Sequence, residues 1–206
     1  MMGLVRQERR WGLASVALLG FLAMGGSLLV GASPDANPEA QSLAFERLAM
    51  YLGPWIVTER HLDPRGNITA TVDGTEEVTW LYADRAIRRA YMRTDESSSY
   101  RASGFLTYDA AEKRYEGVWF NNQATDGPIN VSGTWNKNER TMVYSLTRRV
   151  GDQQEELFRI TETFTSEKQR ESVTYAVKDN KLIKLMEVQY VRTTPCPAKV
   201  RGLFTN

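Results

Sequence analysis

The sequence predicts an all-β domain of about ten antiparallel strands, a sandwich or a closed barrel, with one short helix in front. Three observations carry this. Apolar residues between Trp55 and Arg192 recur with a period near two. Turn clusters such as Asp63-Pro64-Arg65-Gly66, Asp126-Gly127-Pro128 and Asn136-Lys137-Asn138-Glu139 punctuate the runs at short intervals. No helix-length segment separates the runs, which disfavours a parallel sheet built from βαβ units. Closure into a barrel is favoured because it leaves no exposed edges.

The chain has 206 residues, one domain plus an appendage. The appendage is residues 1–32. Arg6, Arg9 and Arg10 stand against one acid, Glu8, and a charge-free run follows from Trp11 to Ala32. A basic start before an apolar stretch is an export signal, and Val30-Gly31-Ala32 offers small residues for cleavage. The run is also long enough to span a bilayer, which needs ~20 residues, so a retained anchor is the alternative. Gly20, Gly25, Gly26 and Gly31 favour the cleaved signal. Either way the body is expected outside the cytoplasm, periplasmic or secreted, touching a membrane only through that segment if it is uncleaved. The net charge is +1, and near-neutrality argues against a nucleic-acid partner. One Cys excludes an internal disulfide, and one His excludes a His-rich metal site.

A polar linker, residues 33–41, contains a helix start at Asn37-Pro38-Glu39: Asn caps, Pro suits the first helical position, and Glu faces the positive dipole end. Ala44, Leu48, Tyr51 and Leu52 fall on one helical face, with Phe45 beside them. Gly53 offers a left-handed stop and Pro54 blocks continuation. Strands are then expected at 55–61, 75–82, 87–94, 104–108, 114–121, 129–135, 141–150, 156–164, 172–177 and 182–192. The alternation is not clean. Over 114–121 one face collects Tyr115, Gly117, Trp119 and Asn121, and the other Glu116, Val118 and Phe120. Polar character on both faces fits a barrel with a partly wet interior better than a tight sandwich. The barrel domain is set at 42–193. The tail, 194–206, carries Cys196 between Pro195 and Pro197, which reads as extended and exposed with an incidental thiol.

Gly53-Pro54-Trp55 at the first strand and Arg192 at the end of the last resemble lipocalin-like calycin barrels. That resemblance implies that Gly53, Trp55 and Arg192 close one barrel end, with the Arg packed over the Trp ring. A broader resemblance covers residues 43–193. The helix with Leu52-Gly53-Pro54-Trp55, then Gly104-Phe105-Leu106-Thr107-Tyr108-Asp109, Lys113-Arg114-Tyr115-Glu116-Gly117-Val118-Trp119, and Lys184 through Arg192 resemble, in order and spacing, the bacterial domain of unknown function 1579 family. The family implies a calycin-type barrel and no established role. Asn121 stands where that family often has Asp, and Thr107 where it has Gly, so position 121 lacks the charge that an acid would bring to a charge or metal role there. Related haem-binding barrels place a ligating His late in the barrel; this chain has none there.

The candidate barrel lining is Trp80, Arg89, Tyr91, Trp119, Asn121, Tyr144 and Glu187. Core packing accounts for the aromatic members equally well. Arg89 and Arg93 share a face with Tyr91; turned inward they would hold a ligand carboxylate, and turned outward, the favoured reading, they form a solvated face. Glu187, between Met186 and Val188, would need a cation beside it inside a barrel, so a structural ion pair outranks a catalytic acid. His61 lacks an orienting constellation and reads as a surface or rim residue. Glu76 and Glu77 face opposite sides of a strand and form no pair. No phosphate-loop, dinucleotide, nucleophile-elbow, zinc-protease or Cys-x-x-Cys motif occurs. No catalytic residue, metal or cofactor is assigned.

The leading expectation is an exported, non-enzymatic barrel that binds a small apolar or amphipathic molecule. A filled barrel serving as an envelope structural or protein-interaction module is the alternative. A hydrolase or isomerase working through Glu187, His61 or an arginine comes third, and requires an inward acid with a raised pKa. A continuous internal cavity favours the first, a core packed with Trp, Tyr and Met the second.

Overall fold

The computed structural model describes residues 37–82, 84–94, 99–123, 127–150, 154–197 and 203–204. The expected export segment, residues 1–32, lies outside the described residues. A helix, α1 (Pro38–Ala49), leads into ten strands: β1 (Gly53–Leu62), β2 (Ile68–Leu81), β3 (Ala86–Thr94), β4 (Ser99–Asp109), β5 (Arg114–Asn121), β6 (Ile129–Asn136), β7 (Thr141–Val150), β8 (Gln154–Ser166), β9 (Gln169–Lys178) and β10 (Lys181–Arg192). Each strand pairs antiparallel with its sequence neighbours, and β1 closes on β10 with Trp55 opposite Arg192. The result is an up-and-down closed barrel, which has no open sheet edge along the closure.

Most strands begin within a few residues of their expected starts. β2 begins at Ile68 rather than 75, and β4 at Ser99 rather than 104. The early part of β2 pairs with β1 but has no partner on β3, whose ladder starts at Gly74. It projects as a hairpin arm with mostly exposed side chains; Ile68, Ala70 and Val72 alternate there with Thr69, Thr71 and Asp73, a period-two signal that marks the strand although the arm buries little.

The helix starts as its capping residue dictates: the Asn37 side chain accepts from the Glu39 and Ala40 amides at 3.0 and 3.4 Å. It ends at Ala49, and Gly53 then takes φ 104° to swing the chain into β1, a conformation that favours glycine. Ala44 and Leu48 of the helix, and Met50 and Tyr51 of the following turn, are buried. The Tyr115 hydroxyl donates to the Ala44 carbonyl at 3.2 Å. Arg47 lies 5.6 Å over Trp135 and Arg85 lies 5.3 Å over Phe45. The helix thus covers one barrel end and joins its core.

The tail differs from its expected exposed form. Cys196 is buried, and the Phe204 ring packs 6.2 Å from Phe164 with Arg140 over it at 5.9 Å. The prolines keep this segment extended, but Phe204 gives it an apolar anchor at the helix-capped end.

Candidate functional site

Alternate residues of every strand point into the barrel, and they divide it into a packed half and a hollow half. Tyr51, Trp55, Tyr115, Met142 and Phe164 fill the half beneath α1 and are all essentially buried. Trp55 donates its ring N–H to the Tyr51 carbonyl at 2.7 Å. Arg192, its register partner, lies 4.1 Å over the Trp55 ring and donates to the Leu52 and Met50 carbonyls. Burial pulls the Arg192 guanidinium down to about 10, so it stays charged at neutral pH. Gly53, Trp55 and Arg192 stand together at this end, where a Cβ on Gly53 would press on Thr194 and Arg192.

A layer of paired charges bounds the packed half. Arg89 donates from Nε to Glu76 at 2.7 Å and through both terminal nitrogens to Glu162 at 2.9 and 3.1 Å. Arg170, fully buried, donates to the other Glu76 oxygen and lies 3.9 Å from the Tyr190 ring and 4.7 Å from the Trp55 ring. Two carboxylates and two guanidiniums cancel here. Burial pushes the Glu162 carboxyl up, but Arg89 and Arg170 outweigh it and hold it below the usual carboxylate range. Burial also drives the Tyr51, Tyr144 and Tyr190 hydroxyls well above their ordinary value. All three are neutral hydrogen-bonding groups at physiological pH, and Tyr144 donates to Tyr51 at 3.2 Å.

Beyond that layer lies a cavity of about 210 Å³. Leu106, Val131, Leu146, Ile160, Met186 and Val188 give it apolar walls, Arg89, Glu76, Glu162 and Tyr144 its inner boundary, and Tyr91, Tyr100 and Trp119 its aromatic side. The Trp119 ring rests on Gly104, where a Cβ would run into it; only glycine allows that approach. Towards the rim, Arg93 donates to Glu59, and His61 Nε2 stands 3.2 Å from the same carboxylate oxygen and 3.1 Å from Arg93 Nη1.

Of the candidate lining residues, Arg89, Tyr91, Trp119 and Tyr144 meet around this one cavity. Three do not. Trp80 packs partly buried against the core, in register with Ile87 at the helix end. Asn121 sits at the far rim, its Oδ1 accepting from the Gln123 amide at 3.0 Å; an Asp would make the same turn, so this departure leaves the local fold intact. Glu187 is on the outer face, 2.8 Å from Lys184. The cavity takes Met186 and Val188 from that strand instead, because β10 turns its even-numbered residues inward. Arg89 and Arg93 are inward, which corrects the favoured solvated reading; both are already ion-paired.

Glu59, Glu76, Glu162 and Arg170 are interior charges that the sequence reading missed. The available signal was a charge at period two among apolar residues, as with Glu162 between Ile160 and Phe164. The cavity's carboxylates are all held by guanidiniums. Glu162 is shifted down and Glu187 faces out, so neither supplies the raised inward acid that acid–base chemistry requires.

A family model described as protein of unknown function (DUF1579) matches residues 42–192. No functionally curated protein matches the chain. Among solved structures, the chain is similar to the S-type phycobiliprotein lyase CPES from Guillardia theta, at 14% identity and TM-score 0.49, covering 74% of this chain and 92% of that one. It is also similar to a protein of unknown function from the DUF3598 family of Nostoc punctiforme, at 8% identity and TM-score 0.25, covering 73% and 99%.

Proposed function

The chain belongs to the DUF1579 family of proteins of unknown function, and we propose that it is an exported, non-enzymatic protein that binds a small apolar or amphipathic molecule in the hollow half of its barrel. The observation that carries this is the 210 Å³ cavity beside a half packed solid. A dry apolar cavity of ~150 Å³ holds benzene, and drug-sized sites run to ~300–1,000 Å³. The fit is therefore to a single ring or a short chain. Aliphatic walls supply the apolar contact, and Tyr91, Tyr100 and Trp119 supply flat faces. Arg89 has all three of its nitrogens committed to carboxylates, so it shapes the cavity floor rather than receiving a ligand carboxylate. The basic, then apolar, pattern of residues 1–32 supports export.

The filled-module alternative has one observation in its favour. Phe105 and Phe120 form an edge-on pair, 6.4 Å apart, on the outer face of β4 and β5. Native mass spectrometry of protein purified from its own host's envelope separates the two readings. A reproducible bound mass supports the binding protein and identifies its ligand. An empty mass that persists through lipid additions supports the interaction module.

A further inference from the structure

Within the closed barrel, the β6–β7 ladder stops short of the ends of its two strands. Their ladder runs from Asn136 opposite Thr141 to Val131 opposite Leu146 and stops there. Beyond that point β6 continues to Ile129 against β5, and β7 continues to Val150 against β8, with no pairing between them. Ile129, Val131 and Leu146 line the internal cavity and also a groove of about 720 Å³ on the outside of the barrel. The two spaces therefore abut at this gap.

The groove is polar where the cavity is apolar. Arg114, Glu116, Asn130, Ser132 and Arg148 line it. Arg114 is already paired with Glu116 at 2.7 Å. Arg148 is exposed and, among the described residues, has no carboxylate within ion-pair distance. Arg148 follows Leu146 by two residues along β7 and so lies on the same face as that cavity-lining residue. Burial raises the Tyr100 hydroxyl, and Arg148 is one of the groups that oppose the rise. Tyr100 and Leu146 line the cavity and Arg148 lines the groove, so Arg148 stands where the two spaces meet.

We propose that the β6–β7 gap is a lateral opening of the ligand site, and that Arg148 there binds the anionic head of an amphipathic ligand whose apolar body occupies the cavity. The inference rests on the cavity-binding reading and narrows it to organic anions. Among the described residues Arg148 has no carboxylate partner to give up on receiving a carboxylate or sulfonate, whereas Arg89 would have to release three hydrogen bonds to buried acids. An exposed guanidinium also costs less to bring against an anion than a buried one.

The test uses two matched fluorescent probes, 1-anilinonaphthalene-8-sulfonate and its uncharged analogue N-phenyl-1-naphthylamine. Each carries a phenyl ring of the size the cavity holds. Arg148→Gln should weaken the sulfonate probe on the order of tenfold, the scale of one charge-assisted contact, and leave the neutral probe unchanged. Arg148→Lys should restore most of the loss. Arg114→Gln, in the same groove but already paired, should change neither probe. Unaltered sulfonate binding in Arg148→Gln, or an equal loss for both probes, overturns the anion site while leaving the cavity reading standing. Failure of the wild-type protein to bind either probe overturns both.

Discussion

Replacing Arg89 by Met removes one guanidinium from the barrel interior and keeps most of its apolar stem. The substitution takes from Glu162, whose side chain is only 4% exposed, the guanidinium from which both its oxygens accept, leaving it Arg170 as the nearby cation. Glu76 is less affected because it retains Arg170. Removing one partner of a buried pair costs about 3–5 kcal/mol, the loss expected at neutral pH by urea unfolding. The pH dependence identifies the cause. In the wild type the Glu162 carboxyl is depressed below its ordinary 4.5. Its contribution is therefore present above about pH 4.5 and lost as pH falls through the lower folded value. Without Arg89, only Arg170 and Tyr51 still oppose burial, so the carboxyl rises from its wild-type position and the cost of ionising it grows as pH rises. The stability gap between variant and wild type should widen from acid to neutral pH. Adding Glu162→Leu should recover most of the loss, since no buried charge is then left alone. A loss below about 1 kcal/mol at neutral pH, or a gap that does not change with pH, would refute the buried-pair reasoning.

Trp55→Ala removes the plug of the packed half together with its hydrogen bond to Tyr51 and should cost about 3–5 kcal/mol in denaturant melts; a loss under about 1 kcal/mol is incompatible with that role. Gly104→Ala forces Trp119 off the backbone it rests on and should cost about 1–3 kcal/mol, with a change in the near-ultraviolet circular dichroism of the aromatic side. Unchanged stability and spectrum would mean the ring is not seated there. Glu187→Gln should change stability by no more than about 0.5 kcal/mol, because its partner Lys184 is on the surface. A loss above about 2 kcal/mol would place this carboxylate inside the barrel.

Much of the fold was legible because its signals are local. Asn37-Pro38-Glu39 specifies a helix start through one side chain's hydrogen bonds, and the turn clusters end strands through backbone preferences that need no tertiary partner. The closure at Trp55 and Arg192 was legible through resemblance, since these residues lie far apart in sequence and meet only when β1 pairs with β10. Strand phase was harder. Glu187 and its neighbours alternate in a run with apolar residues on both faces, and only the register opposite β1 shows which set faces inward. A shift of one residue reverses the assignment for the whole strand. The charge layer was hidden for a similar reason. Glu76, Arg89, Glu162 and Arg170 lie on four strands, and each alone looks like a solvated polar residue. Their burial becomes tolerable only through mutual pairing, which is a property of the closed barrel and not of any segment.

The measurement that bears most directly on the hollow half is methyl NMR of the protein titrated with benzene. Shift changes are expected at Leu106, Val131, Leu146, Ile160 and Val188, which line the cavity, with Leu48 and Ile87 in the packed half unmoved. Saturable changes confined to the first set would establish an accessible binding cavity. No change at those methyls, or changes only at outward residues such as Ile56 and Leu157, would contradict it.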